Sequence, residues 1–209
     1  MTTWDKIYKK YRNGGEAWAT LSEDIDPLFI SFIEESDFKL KNAFDIGCGT
    51  GKYLKFLKNK GFHVFGIDNS ETAIEMSKEN LGDSGAVEIA DMYKYKIPQN
   101  KFDLILSVST IHHGTKKQVE KLIKEIFDSL AKNGKIFITL PDFAGSKKLD
   151  KTDNKEISQG TFIPLSGPES GLPHSFYTKK EIESMFSVFQ DIELQLDDIG
   201  RWFITGSKI

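Results

Sequence analysis

From Lys41 onward, short apolar runs alternate with stretches in which apolar residues recur every three or four positions. This is the pattern of parallel strands joined by crossover helices. Strands are expected at Asn42 to Ile46, His63 to Ile67, Ala86 to Ala90, Phe102 to Val108 and Lys135 to Leu140. The helix after the first strand carries Tyr53, Leu54, Phe56 and Leu57 on one face and stops at Gly61. The next is capped by Ser70 and presents Ala73, Ile74 and Met76. The most regular helix starts at Thr115, which has capping-box spacing to Gln118. It runs through Val119, Leu122, Ile123, Ile126, Phe127 and Leu130 and is expected to end at Asn133-Gly134. Thr178 and Glu181 open a last capped helix that buries Ile182, Met185, Phe186 and Phe189. Ile192 to Leu196 and Arg201 to Thr205 read as closing strands around a turn at Gly200, so one runs antiparallel.

One domain over 1–209 accounts for this rhythm, in four parts. Residues 1–41 read as a helical cap rich in aromatics, with Trp4, Tyr8, Tyr11 and Trp18; residues 42–141 hold the motif-bearing half of the sheet. Residues 142–177 read as an irregular insertion, and 178–209 supply the closing helix and two strands. An insertion after a strand's carboxyl end lies over the ligand crevice of an open α/β sheet.

Composition narrows the function. At 39% hydrophobic and 28% charged residues, the chain has the makeup of a globular protein with a substantial core. Sixteen phenylalanines point to aromatic packing. The net charge of −3 provides no field to draw in nucleic acid. Arg12 and Arg201 are the only arginines, so the forks that grip phosphate and guanine are scarce. No nucleic-acid partner is therefore expected. Cys48 stands alone, which excludes an intrachain disulfide and a cysteine-cluster metal site. Met1 to Tyr11 has no apolar signal core, and no run reaches the roughly 18 apolar residues of a membrane span. A cytoplasmic protein without membrane attachment is expected, and no feature specifies an oligomeric state.

The most informative run is Phe44-Asp45-Ile46-Gly47-Cys48-Gly49-Thr50-Gly51, a strand leading into three alternate glycines and then a helix. Glycine serves where backbone must take positive φ or touch a ligand. Asp68 ends the second strand at about the 20-residue spacing where a carboxylate meets a ribose in nucleotide-binding βαβ units. Asp91 follows the third strand, placed to accept from an adenine amino group. Asp45 to Gly51 resembles the first motif of class I S-adenosylmethionine-dependent methyltransferases, and Asp68 and Asp91 resemble that family's ribose and adenine acids. Phe102 to Ser107 resembles its fourth-strand motif, and Leu130 to Lys135 its turn before strand five, with Lys132-Asn133 in place of the commoner Pro-Gly. The resemblance implies a Rossmann-like seven-stranded α/β sheet, order 3-2-1-4-5-7-6 with strand 7 antiparallel and helices on both faces. It also implies S-adenosyl-L-methionine as cofactor, held by Asp45, Gly47, Cys48, Gly49, Gly51, Asp68, Asn69, Asp91, Met92 and Ser107. Tyr11 and Arg12 join that set as lid residues, Arg12 facing the donor's carboxylate.

Two other nucleotide loops fit less well. A phosphate loop needs Ser or Thr where Tyr53 stands, and a nicotinamide-binding loop needs glycine where Lys52 stands. An NAD-dependent oxidoreductase and a non-catalytic cofactor-binding regulatory partner are the alternatives to a methyltransferase acting on a small molecule.

Methyl transfer asks the protein chiefly to align the reacting atoms, worth on the order of 7–11 kcal/mol, with a base where the acceptor carries a proton. His112 and His113 follow strand four; His174 and Tyr177 lie in the insertion, within a run resembling the "P-H-H-F-Y-T" segment of some small-molecule methyltransferases, with Ser175 at its second histidine. These four are the acceptor-side candidates. No metal is expected, because neighbouring histidines in an extended segment point apart.

Overall fold

The computed structural model describes residues 1–15, 24–82, 85–147, 149 and 152–209. Trp18 falls outside the described residues. Seven strands form the main sheet: β1 (Asn42–Ile46), β2 (His63–Asp68), β3 (Ala86–Ile89), β4 (Phe102–Ser107), β5 (Leu130–Pro141), β9 (Gln190–Leu196) and β10 (Arg201–Ser207). Their order is β3-β2-β1-β4-β5-β10-β9, parallel except for β10, which runs antiparallel to both β5 and β9. This is the expected topology, with the seventh strand of the sheet, β10, lying between β5 and β9.

Period-two alternation explains how both faces are buried. On the central strand β4, Leu104 and Leu106 join one apolar cluster while Ile105 joins the other, and every residue of β4 is buried. One face receives α5 (Lys116–Ser129) through Val119, Leu122, Ile123 and Ile126, and α7 (Lys179–Met185) through Ile182. The other receives α2 (Pro27–Glu35), α3 (Lys52–Asn59) and α4 (Glu71–Leu81) through Phe29, Ile33, Leu54, Leu57 and Ile74. Part of the phenylalanine excess packs here: Phe29 lies edge-on to Tyr53 and to Phe137 of β5, each at 4.9 Å.

The first helix, α1 (Thr3–Arg12), is tied to α4 by polar contacts. Asp5 Oδ1 accepts from the Thr72 amide at 3.0 Å, the Thr72 hydroxyl at 2.8 Å and the Ser70 hydroxyl at 3.2 Å. A carboxylate at that helix N-terminus also meets the favourable end of its dipole. At the far end of α1, Arg12 pairs with Glu75 at 2.7 Å and with Glu79.

The structure departs from the sequence expectation most at two places, and α7 also stops at Met185, short of Phe189. α5 stops at Ser129, because the Asn100 and Lys101 amides take the carbonyls of Asp128 and Ser129, and the chain is extended from Leu130, opposite Phe102. Residues 142–177 are more regular than an irregular insertion. They hold the short helix α6 (Phe143–Ser146) and a second sheet of β6 (Asn154–Ser158), β7 (Thr161–Pro164) and β8 (His174–Ser175), all antiparallel. Among the described residues no helix is long and apolar enough to cross a membrane.

Entry into β1 depends on a buried acid in β4. Asp103 accepts the Leu40 amide at 3.1 Å and the Asn42 amide at 3.0 Å. Asp103→Ala leaves two amides without their acceptor, at a cost of about 2 kcal/mol. For a chain of this size that lowers the melting temperature by about 4–8 °C; an unchanged melting curve contradicts the anchor role.

Candidate functional site

A cavity of ≈ 270 Å³ opens at the carboxyl ends of β1, β2, β3 and β4, lined by Asp45, Gly47, Cys48, Gly49, Asp68, Asn69, Asp91, Met92 and His113 among others. This is the ligand-binding edge of an open α/β sheet, and its size lies near the lower bound of about 300 Å³ for small-molecule pockets. The turn after β1 is drawn to β2 because the Gly47 and Cys48 amides both donate to the Ile67 carbonyl, at 2.8 and 2.9 Å. Two glycines are obligatory. Gly47 has φ +76°, and a Cβ there would sit 2.0 Å from Thr110 Cγ2; Gly49 has φ +54°, and a Cβ there would meet the Tyr8 hydroxyl at 2.5 Å. The turn is bare backbone beneath a tyrosine from α1.

Two acids flank it. Asp68, the last residue of β2, accepts from the Gly49 amide with Oδ2 at 3.0 Å and from the Ser70 amide with Oδ1 at 2.9 Å. A carboxylate has about four lone-pair sites, so capacity remains for a ligand hydroxyl. Burial pushes its carboxyl up to about 6, although those amides and that of Asn69 oppose the rise. Asp45 is buried more deeply. Desolvation, with the charge of Asp68 adding to it and Lys52 opposing, pushes its carboxyl up to about 8. Asp91, at the solvent end, accepts from the Tyr93 amide at 3.0 Å and pairs with Lys94 at 3.0 Å. Cys48 is buried and its thiol is pushed well above its ordinary value, so it is a poor nucleophile.

The loop after β4 builds the other wall. Ser109 adopts φ +55°, and its amide donates to Thr139 Oγ1 at 2.7 Å. The chain then turns, with the His113 amide on the Thr110 carbonyl at 3.0 Å. This corrects the extended segment expected here. The His112 and His113 rings do not point apart; their centroids are 4.0 Å apart. His174 of β8 joins them, 4.6 Å from His113, because Ser175 pins β8 to this loop. The Ser175 amide donates to the His112 carbonyl at 2.9 Å, and its hydroxyl to the Gly114 carbonyl at 2.7 Å. Burial lowers all three imidazoles, His112 to about 3 and His174 to about 4, with His113 also well below its ordinary value.

Other expected site residues lie outside the cavity wall. Gly51 is the N-cap of α3, Ser107 donates to the Ile46 carbonyl at 2.8 Å, and Tyr11, within α1, packs on the cluster of Ile7, Tyr8 and Ala73. Arg12 is held by Glu75 and Glu79 on α4, not turned to the cavity. Tyr177 is buried with its backbone bonded to Pro141 and Phe143, a strut between insertion and sheet. His112 and His174 stand behind His113. The wall also includes Trp4, Tyr8, Tyr93, Ser109, Thr110 and Leu172, which sequence motifs do not single out. Trp4 and Tyr8 were legible as cap aromatics; for Ser109 and Leu172 the sequence carries no signal, since a backbone turn and a distant insertion deliver them.

A profile of the family described as "Methyltransferase domain" matches residues 44–138. An uncharacterized methyltransferase of Anoxybacillus flavithermus is 30% identical over 69% of this chain and 66% of its own length. A mouse protein named probable tRNA methyltransferase 9B is 38% identical over 63% of this chain, but the match spans only 28% of that protein. In fold, a crystal structure from Pyrococcus horikoshii superposes with TM-score 0.75 at 17% identity, covering all of both chains.

The raised carboxyl of Asp45 gives a pH signature. The folded chain keeps a proton there that the unfolded chain loses near its ordinary value of about 3.9. Stability therefore falls as pH rises from about 4 until the group ionises in the fold at about 8. Asp45→Asn removes that loss. Its melting temperature relative to the parent should climb between pH 5 and pH 8; a difference constant with pH means Asp45 titrates normally.

Proposed function

We infer the reaction from one premise: the chain belongs to the class I S-adenosylmethionine-dependent methyltransferase superfamily. It transfers a methyl group from S-adenosylmethionine to a small-molecule acceptor that enters beside His113. The observation that carries this reading is the pair of buried carboxylates, Asp45 and Asp68, on either side of the glycine turn.

That pair discriminates between ligands. A nicotinamide dinucleotide would bring a pyrophosphate against Asp68, a like-charge contact in a poorly solvated site, and would oppose ionisation of Asp45. A donor with a sulfonium and an ammonium group brings positive charge to the same place. The residues present fit it: the bare turn admits close approach, Asp68 offers both oxygens to ribose hydroxyls, and Asp45 faces the cationic end. Asp91 and Met92 stand at the purine end. When bound, the donor supplies an electrophilic methyl carbon.

The chain's own residues supply alignment and dryness. Trp4 and Tyr8 from α1 and Leu172 from the insertion wall the cavity from the side opposite the sheet, which excludes water and holds the acceptor in line. Three imidazoles lowered by burial stay neutral at pH 7 but hold a proton poorly, so they favour acceptors that reach the site already deprotonated or uncharged.

A small acceptor is further supported by the arginines. Both are engaged by acids, Arg12 with Glu75 and Glu79, and Arg201 with Asp26 at 2.8 Å and Asp197 at 3.0 Å. Neither is free to grip a phosphate backbone.

Binding tests this directly. S-adenosylmethionine and its demethylated product should each raise the melting temperature at concentrations well above Kd, while NAD leaves it unchanged. Asp68→Asn, which keeps the shape of the side chain, should weaken the product's binding by at least about tenfold, in line with the loss of a charge-assisted bond. Stabilisation by NAD, or equal affinity in the variant, overturns the donor assignment. Methyl release from a panel of thiols, phenols and amines, with bulk tRNA alongside, then tests the acceptor class; turnover on tRNA alone overturns it.

A further inference from the structure

The three histidines behind the cavity wall have a property the methyl-transfer reading does not use. Nδ1 of His112, Nδ1 of His113 and Nε2 of His174 are all buried, and none has a hydrogen-bond partner. Leaving one polar atom dry and unpaired costs about 1–3 kcal/mol, so three such atoms on neighbouring rings need an explanation. Each histidine can offer a ring nitrogen such that the three lie within 4.8 Å of one another. Around a tetrahedral zinc ion with bonds of about 2.0–2.1 Å, nitrogens sit about 3.4 Å apart. Small side-chain rotations close that gap.

We propose that His112, His113 and His174 form a binding site for one divalent ion of the zinc class, with Glu169 beside it. The carboxylate oxygen Oε2 of Glu169 lies 3.2 Å from His174 Nε2, yet the two do not align as a hydrogen bond. The carboxylate stands outside the three nitrogens, where its negative charge favours a cation. The second shell is in place as well: the other edge of the His113 ring bonds the Ser109 carbonyl, which leaves the Nδ1 lone pair turned inward. The imidazoles are neutral at pH 7, the form that ligates metal. Three imidazoles suit zinc and its neighbours far better than magnesium or calcium, which take oxygen.

Three protein nitrogens leave a coordination position open, as in catalytic zinc sites. His113 belongs both to this cluster and to the cavity wall, so the site borders the acceptor end. On the methyl-transfer reading, that position selects a thiol or hydroxyl acceptor, whose proton leaves to solvent as its heteroatom binds the ion. Metal uptake itself does not depend on that reading.

Chelator-stripped, untagged full-length protein is titrated with Zn²⁺ by calorimetry, and with Co²⁺ followed by visible absorption, both without donor. The expected result is uptake of about one ion per chain with Kd in the micromolar range or tighter, and cobalt bands of low coordination number with nitrogen ligands. His112→Asn and His174→Asn should each weaken uptake at least about tenfold. His63→Asn, at an exposed histidine opening β2, should leave it unchanged. Should a cluster variant misfold, X-ray absorption of the zinc-loaded parent decides, and at least two imidazole ligands are expected. The site is refuted by no stoichiometric uptake, by equal losses in the His63 variant, or by a zinc shell without imidazole. Failure here with intact donor binding leaves the proposed function standing; uptake without donor binding does the reverse.

Discussion

Asp68 comes to the end of β2 with its two oxygens already engaged, one by the Gly49 amide and one by the Ser70 amide. That double engagement makes a buried carboxylate tolerable, and it couples three things that have no contact in sequence. It holds the glycine turn against β2, fixes the start of α4, and leaves the remaining lone pairs toward the cavity. Asp5 extends the arrangement by accepting from Ser70 and Thr72 at the same helix start, which draws α1 and its tyrosine over the turn. The cavity proposed for the donor is thus held from beneath by the sheet and from above by a helix fastened to the same α4 N-terminus.

Much of the fold was legible because its parts are periodic. The strands β1 to β4 and the helices α3, α5 and α7 follow apolar spacing and caps; Thr115 with Gln118 and Thr178 with Glu181 close as reciprocal capping boxes. The glycine turn and its acids were legible because Gly47 and Gly49 allow no side chain. What escaped reading lacks a period. The strands β6, β7 and β8 are two to five residues long, too short for alternation to stand out. The end of α5 is set by amides of Asn100 and Lys101, nearly thirty residues upstream, where local pattern carries no information. Arg12 has the charge to meet a carboxylate, and meets two, but they belong to α4.

The histidine cluster shows the same limit from the chemical side. Two adjacent histidines point apart in a strand, and only the left-handed residue Ser109 and the turn after it bring their rings together. The third arrives through Ser175, a residue whose small hydroxyl fits between β7 and the Gly114 carbonyl where a second histidine stands in the segment it resembles. The substitution makes this serine a buried anchor for His174. On the proposed reading, the acceptor side rests on backbone geometry and one insertion contact, while the donor side rests on residue type.

The central claim is that the paired acids await a cation-bearing adenosyl donor. Free Asp45, with its carboxyl near 8, is mostly protonated at pH 7. A sulfonium and an ammonium brought beside it favour the charged form, so binding should expel a proton. Calorimetric titration of S-adenosylmethionine at pH 7 in two buffers of different ionisation heat counts that proton. The account predicts release approaching about one proton per donor bound; proton uptake, or no heat of binding in either buffer, contradicts it.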